Sequence, residues 1–148
     1  MSPENLSRII FVSAAEVLEC MFFTSPAEDA APSPPASEGY IGARLLFHGK
    51  PSGRFGIRTP LETGGRIAAN FLGVEEDSLT EGQIGEVIRE LANMLCGSVL
   101  SRLEEHERFD LSQPQLDLAE DPEKHTAYRL VALEEGPLAI WLDLRQNP

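Results

Sequence analysis

The residues with the clearest chemical potential lie on one polar face of a predicted long helix. Four of them recur there at three- and four-residue steps: Glu86, Glu90, Asn93 and Gly97. At about 100° per residue, these positions fall within roughly 60° of one another. The Glu90 carboxylate can pair with a cation, and the Asn93 amide can accept a hydrogen bond from water while donating one to another oxygen. Asn93 could therefore position a water molecule, although an amide is not basic enough to deprotonate it.

A solvated helix surface is the simpler interpretation of this polar face, because most outward-facing Glu and Asn residues have no further role. Two residues argue against it. Asn93 is a poor helix former, since its amide competes with the backbone for hydrogen bonds. Gly97 in a helix interior costs about 1 kcal/mol relative to Ala. Together they predict that a partner approaches this surface closely, although tight packing within the chain around Gly97 would explain the glycine equally well.

The element that carries this face is the longest helical pattern in the chain, residues 80–107. Its apolar residues recur with the helical period and form a broad face opposite the polar one: Ile84, Val87, Ile88, Leu91, Met94, Leu95 and Val99. Asp77 or Thr80 could cap the start of the helix. We therefore expect one face of this helix in the core and the other directed outward.

Composition and charge limit the class of partner. The chain has 148 residues, of which 24 are acidic and 12 basic, and its net charge of -12 argues against nucleic acid and anionic membranes. It contains no apolar run of about 18 residues, and the pattern of its first residues does not predict a secretory signal. Cys20 and Cys96 are predicted to be buried or half-buried thiols, and the histidines lack the spacing of metal ligands. We expect a single cytoplasmic domain without a metal site.

The remaining patterns predict an α+β fold, with helices layered on a mostly antiparallel sheet. A first helix is expected, with a start signal at Ser2 and Pro3 and an apolar pattern over residues 6–23. A capping pattern at Ser13 would begin or restart this helix. A Pro/Ala-rich connection follows at residues 24–38. The other predicted elements are strands at 40–47 and 54–59, a short helix at 63–72 capped by Gly73, and strands at 109–118, 127–133 and 138–144.

The last two strands are joined by a turn signal at residues 134–137 and are rich in apolar residues. Trp141, in the final strand, is expected to lie in the core. An apolar hairpin at the edge of a sheet needs protection, and pairing of strands between two copies of the chain would supply it. We therefore expect a homodimer formed through strands.

Several motifs occur together in this order of elements. Glu90 and Asn93 form a Glu-x-x-Asn signature, residues 68–73 precede it, and a Ser-x-Pro segment at residues 112–114 follows it. In this arrangement the chain resembles the CheC/CheX/FliY family of phosphatases, which act on phosphorylated CheY-type response regulators. Residues 14–21 resemble the family's opening helix. Some members carry a second signature there, but Glu19 replaces the Asn in this chain, which makes it more similar to CheX than to CheC.

The resemblance implies a CheX-like fold and hydrolysis of the aspartyl phosphate of a CheY-like receiver domain. Asn93 would hold the attacking water in line with phosphorus, and Glu90 would dock to a lysine of the receiver. Glu86 and Gly97 are expected to contact the receiver. The chain would need no cofactor of its own, because the Mg²⁺ would belong to the receiver.

Two alternatives remain open at this point. The same face could bind a receiver or a flagellar-switch protein without hydrolysing anything. The chain could also be a structural dimer whose polar face is only solvated.

Overall fold

The computed structural model describes residues 2–26, 39–116 and 125–145. Helix α1 (Pro3–Met21) is followed by strands β1 (Tyr40–His48) and β2 (Gly53–Pro60), helix α2 (Leu61–Leu72), a 3-10 turn (Glu76–Ser78) and helix α3 (Glu81–Leu103). Strands β3 (Asp110–Leu111), β4 (Gln115–Leu116), β5 (Ala127–Leu133) and β6 (Gly136–Leu144) complete the order. Most of the Pro/Ala-rich connection, residues 27–38, lies outside the described residues.

The strands form one sheet in the order β3-β1-β2-β6-β5, and β4 also pairs with β1. Every pairing among the described strands is antiparallel. β3 and β4 meet different parts of β1, because Leu111 lies opposite Phe47 and Leu116 lies opposite Ala43. The predicted α+β fold with a mostly antiparallel sheet is confirmed.

The core lies between the helices and one face of this sheet. In β1 the buried residues Ala43, Leu45 and Phe47 alternate with exposed neighbours, which is the pattern of a strand covered on one side. From α3 the core receives Val87, Ile88, Leu91, Leu95 and Val99, whereas Ile84 and Met94 are half-buried. The predicted apolar face is therefore confirmed. Complete burial of one such leucine contributes about 1.5–3 kcal/mol, and the face as a whole fixes the rotation of α3.

The helix starts follow from local side-chain chemistry. Thr80, and not Asp77, caps α3: the Gln83 amide N–H donates to Thr80 Oγ1 at 3.1 Å, and the Thr80 N–H donates to Gln83 Oε1 at 2.9 Å. This reciprocal pair satisfies two N–H groups that the helix leaves open. Gly73 ends α2 with φ of 67°, as the sequence predicts, because a left-handed residue is easiest for glycine.

The predicted interruption of the first helix at Ser13 is wrong. α1 runs unbroken from Pro3 to Met21, and Ser13 is buried in its middle. The Ser13 hydroxyl accepts a hydrogen bond from Arg102 of α3 at 3.3 Å, and Glu16 forms an ion pair with the same arginine. Ser13 and Glu16 therefore bind Arg102 of another helix and do not cap α1.

Two further boundaries and the exposure of one cysteine differ from the prediction. α3 ends at Leu103 because Glu104 turns to extended backbone, with φ of −144°. The strand predicted at 109–118 is divided into β3 and β4 around Pro114, which has no N–H to donate to a ladder. Cys20 is exposed, contrary to the prediction, whereas Cys96 is buried and its burial raises the pKa of that thiol to about 12.

The final hairpin turns at residues 134–135. Glu135 is buried there, and its carboxylate accepts hydrogen bonds from Thr24 Oγ1 at 2.7 Å and Asn70 Nδ2 at 3.0 Å, which ties the hairpin to the ends of α1 and α2. Trp141 is buried, as predicted. β5 lies at one edge of the sheet, where the sequence predicted pairing with a second copy of the chain. The homodimer through strands stays a prediction.

None of the described helices is long and apolar enough to cross a membrane.

Candidate functional site

An open groove of about 530 Å³ runs between α3 and the segment that joins β3 to β4. We call it the α3 groove and define it by its lining residues: Glu86, Arg89, Glu90, Asn93, Leu111, Ser112, Gln113 and Pro114. Both parts of the Glu-x-x-Asn signature and the whole Ser-x-Pro segment therefore line one concave surface. Sequence positions some twenty residues apart meet here because the sheet returns the chain to α3.

The helix supplies the floor of the α3 groove through its polar face. Glu86 and Glu90 are exposed and Asn93 is half-buried, whereas Leu91 and Leu95 are buried in the core. Since the apolar side is fixed in the core, the polar residues are held in a defined direction. A rigid helix with a fixed rotation positions side chains more accurately than a loop does.

The opposite wall is anchored to the sheet. The Leu46 N–H donates to Ser112 Oγ at 2.8 Å, and the Ser112 N–H donates to the Leu46 carbonyl at 2.9 Å, so Ser112 extends the ladder beside β1. Further along, Leu116 packs on α3 at Gly85, where an added Cβ would lie 2.9 Å from the leucine Cδ1. The wall is thus held at both ends, and Pro114 stiffens the residues between them.

The polar side chains that α3 contributes to the groove are available to a partner. Within the described part of the chain, Glu86, Arg89, Glu90 and Asn93 form no side-chain hydrogen bond and no ion pair. The Asn93 amide keeps both its donor and its acceptor capacity, which a half-buried amide would normally satisfy within the protein. This unused capacity is the main chemical feature of the site.

Gly97 lies beyond the lining of the α3 groove, one turn after Asn93. It is half-buried, but a Cβ added there would meet no atom within 4 Å outside its immediate helix neighbours. Tight packing within the chain therefore does not explain this glycine. The open space beside it leaves the surface accessible next to the signature.

No equivalent site is present on α1. Arg102 donates to Ser98 Oγ at 2.6 Å and to Ser13 Oγ at 3.3 Å, and it forms an ion pair with Glu16. The carboxylate that would begin a second signature is thus bound between α1 and α3. Glu19 is exposed on the same helix.

Sequence reasoning missed Arg89, which lines the α3 groove between the residues it did select. Its spacing of i−4 to Asn93 and i+3 to Glu86 could have identified it, because both steps place side chains on one helix face. For metal binding, the described residues contain no group of three or more His, Cys, Asp or Glu side chains that could hold an ion.

A comparison with known protein families finds a match. Residues 41–130, more than half of the chain, match the family described as chemotaxis phosphatase CheX. No curated protein sequence matches the chain.

Solved structures show the same fold at low sequence identity. A chemotaxis protein CheX from Desulfovibrio desulfuricans superposes with a TM-score of 0.71 at 13% identity, covering 95% of this chain and 99% of that one. CheX from Vibrio vulnificus gives 0.71 at 18%, with coverages of 98% and 99%. The CheX of a CheX–CheY–BeF3–Mg²⁺ complex from Borrelia burgdorferi gives 0.68 at 18%, with coverages of 94% and 97%.

Proposed function

This chain belongs to the CheX family of chemotaxis phosphatases, and we propose that it hydrolyses the aspartyl phosphate of a CheY-like receiver domain. The observation that carries the proposal is the unpartnered amide of Asn93 beside Glu90 in the open α3 groove. The Borrelia burgdorferi relative is seen in complex with CheY, BeF3 and Mg²⁺, which supports a receiver as the partner. Because one fold can have many functions, the proposed function depends on the site residues and not on the fold alone.

The reaction is the attack of water on the phosphorus of an acyl phosphate. A bond forms between the water oxygen and phosphorus, and the bond from phosphorus to the aspartate oxygen breaks with its electron pair leaving on the carboxylate. The water protons remain with the inorganic phosphate, which exchanges them with solvent. Such a transfer needs little covalent assistance, so catalysis consists of positioning and charge stabilisation.

Asn93 is suited to the positioning role. Its amide oxygen would accept a hydrogen bond from the attacking water, while its NH₂ group would donate to a phosphoryl oxygen. Because the amide is neutral, it approaches a doubly negative phosphoryl group without repulsion. Holding the water in line removes much of the entropy that an encounter in solution would lose.

Glu90 is suited to docking rather than to chemistry. A carboxylate beside a phosphoryl group would raise the energy of the complex unless it paired with a cation, and the lysine of the receiver's active site supplies one. An ion pair at about 4 Å is worth roughly 4 kcal/mol at the effective dielectric of a protein surface, before desolvation is counted. In this arrangement the Mg²⁺ is bound by the receiver, and Glu86 and Gly97 contact the receiver around the pair.

Glu90→Gln is expected to weaken binding of a phosphorylated receiver about 10- to 100-fold while changing the rate of the bound complex less. The neutral amide keeps the shape but loses the charge that attracts the lysine, and a hydrogen bond to a charged group contributes about 1.5–3 kcal/mol. Titration by surface plasmon resonance or fluorescence measures the affinity. Glu19→Gln on α1 removes the same charge from an exposed site and should bind normally. An unchanged affinity for Glu90→Gln would contradict the docking role.

Gly97→Ala is expected to stabilise the isolated chain by about 0.5–1 kcal/mol, because alanine is the better helix residue and the added methyl group meets only open space. The same methyl group should weaken receiver binding if the partner approaches this surface closely. Urea unfolding and receiver titration measure the two effects separately. A gain in stability with unchanged affinity would show that the receiver does not contact Gly97.

The activity itself is tested by following the lifetime of phosphorylated receivers with and without the chain. Faster decay of one receiver in a panel supports the proposed phosphatase. Binding without faster decay would instead identify a non-catalytic receiver-binding module. If the chain binds none of the receivers, its polar face is a solvated surface without a binding role.

A further inference from the structure

Arg89 is the one positively charged residue among those that line the α3 groove. It lies between two acidic residues of the same helix, Glu86 three positions before it and Glu90 directly after it. An arginine three residues after a glutamate on a helix commonly pairs with it. Within the described residues Arg89 forms no such pair, and it is half-buried rather than extended into solvent. Arg89 therefore lines the groove with its charge available to a partner.

The direction of Arg89 follows from the geometry of α3. At about 100° per residue, Arg89 and Asn93 are separated by roughly 40°, and Glu90 lies roughly 60° from Asn93 on the other side. Gly85, where Leu116 packs on the helix, lies on the Arg89 side. Arg89 therefore lies on the side of Asn93 that faces residues 111–114, which line the same groove. Across the groove, the amide has a cation on one side and a carboxylate on the other.

This order of charges complements an active centre that holds both a lysine and a phosphoryl group. With Glu90 beside the lysine, the phosphoryl oxygens would lie toward Asn93 and Arg89. The arginine side chain extends further from the helix than that of asparagine, so it can reach past the water that Asn93 holds. A guanidinium presents a planar fork of donors that matches two phosphoryl oxygens.

We propose that Arg89 is a further catalytic residue, which contacts the phosphoryl group and stabilises the charge on its equatorial oxygens during hydrolysis. This inference rests on the proposed phosphatase function. Arg89 transfers no proton: water forms the new bond to phosphorus, the aspartate carboxylate leaves with its electron pair, and the guanidinium stays charged throughout. A cation in this role acts on the transition state, where charge spreads over the oxygens.

The test compares Arg89→Gln with Arg8→Gln at saturating concentrations of the chain over a phosphorylated receiver. Both variants lose one positive charge. Arg8 is the control because it is exposed on α1, away from the α3 groove. Arg89→Gln should lower the saturating rate constant about 10- to 100-fold, the equivalent of one hydrogen bond to a charged group. Arg8→Gln should retain the wild-type rate, and Arg89→Lys should recover part of the loss because it restores the charge without the fork.

A binding measurement separates catalysis from docking. Arg89→Gln should reduce affinity for the receiver loaded with beryllium fluoride and Mg²⁺, while affinity for the unmodified receiver changes little. A saturating rate equal to that of Arg8→Gln would overturn the proposal. So would an equal loss of affinity for the loaded and unmodified receivers, since Arg89 would then bind the receiver surface. If wild type and Asn93→Ala both leave the receiver at its intrinsic decay rate, the phosphatase function itself fails, and the role of Arg89 fails with it.

Discussion

Asn93→Ala is expected to remove roughly 2–4 kcal/mol of transition-state stabilisation, which corresponds to a loss of about 30- to 1,000-fold in the rate of receiver dephosphorylation. The loss arises because the amide is the group that would hold the attacking water and donate to the phosphoryl group. Receiver affinity should change far less, since Glu90 remains in place. The lifetime of the phosphorylated receiver, measured at saturating concentrations of the chain, reports the effect.

The fold should tolerate this substitution. The Asn93 side chain makes no hydrogen bond within the described part of the chain, and alanine is the stronger helix former. Thermal unfolding should therefore show equal or slightly greater stability. Asn5→Ala makes the same chemical change on an exposed turn of α1 and serves as the control. If Asn93→Ala and Asn5→Ala dephosphorylate the receiver equally fast, Asn93 has no catalytic role.

Gly56→Ala is expected to destabilise the fold by about 3 kcal/mol, at the upper end of the usual cost of overfilling a core. Gly56 lies in β2 directly opposite Trp141 of β6. A Cβ at this position would lie 2.0 Å from Cζ2 and 2.2 Å from Cε2 of the indole. Contacts this short cannot persist, so either the ring or the strand has to move.

The indole has little freedom to move away. The His125 ring stacks on it with centroids 4.3 Å apart, and His125 Nδ1 is held by the Asp143 carboxylate at 2.7 Å. Displacing Trp141 would therefore disturb a second polar contact. Unfolding in urea measures the loss, with Gly97→Ala as the control, since that glycine has open space beside it. Similar midpoints for the two variants would show that Trp141 relocates easily.

The function and the fold rest on different evidence. The solved CheX structures share 13–18% of their residues with this chain and establish the architecture. Many activities share one fold, so the phosphatase proposal depends on the unpaired amide, carboxylate and guanidinium of the α3 groove. The Asn93, Glu90 and Arg89 variants examine these three groups one at a time.

α3 and the direction of its polar face can be predicted from the amino-acid sequence alone. Helical periodicity is a local property, so the apolar steps from Val87 to Val99 were enough to place Glu90 and Asn93 on the outside. The cap at Gly73 and the two strands before α2 could be predicted for the same reason. The motifs added the order of elements, which pointed to the family.

The surroundings of that face depend on contacts between elements that are distant in the sequence. The wall at Ser112 depends on hydrogen bonds to Leu46, 66 positions away. Glu16 is withdrawn into an ion pair with Arg102, which lies 86 positions from it. The open space at Gly97 and the groove position of Arg89 depend likewise on which elements pack nearby. A periodic pattern states which way a side chain points, but its neighbours are set by contacts between distant parts of the chain, and these form only when the sheet closes on α3.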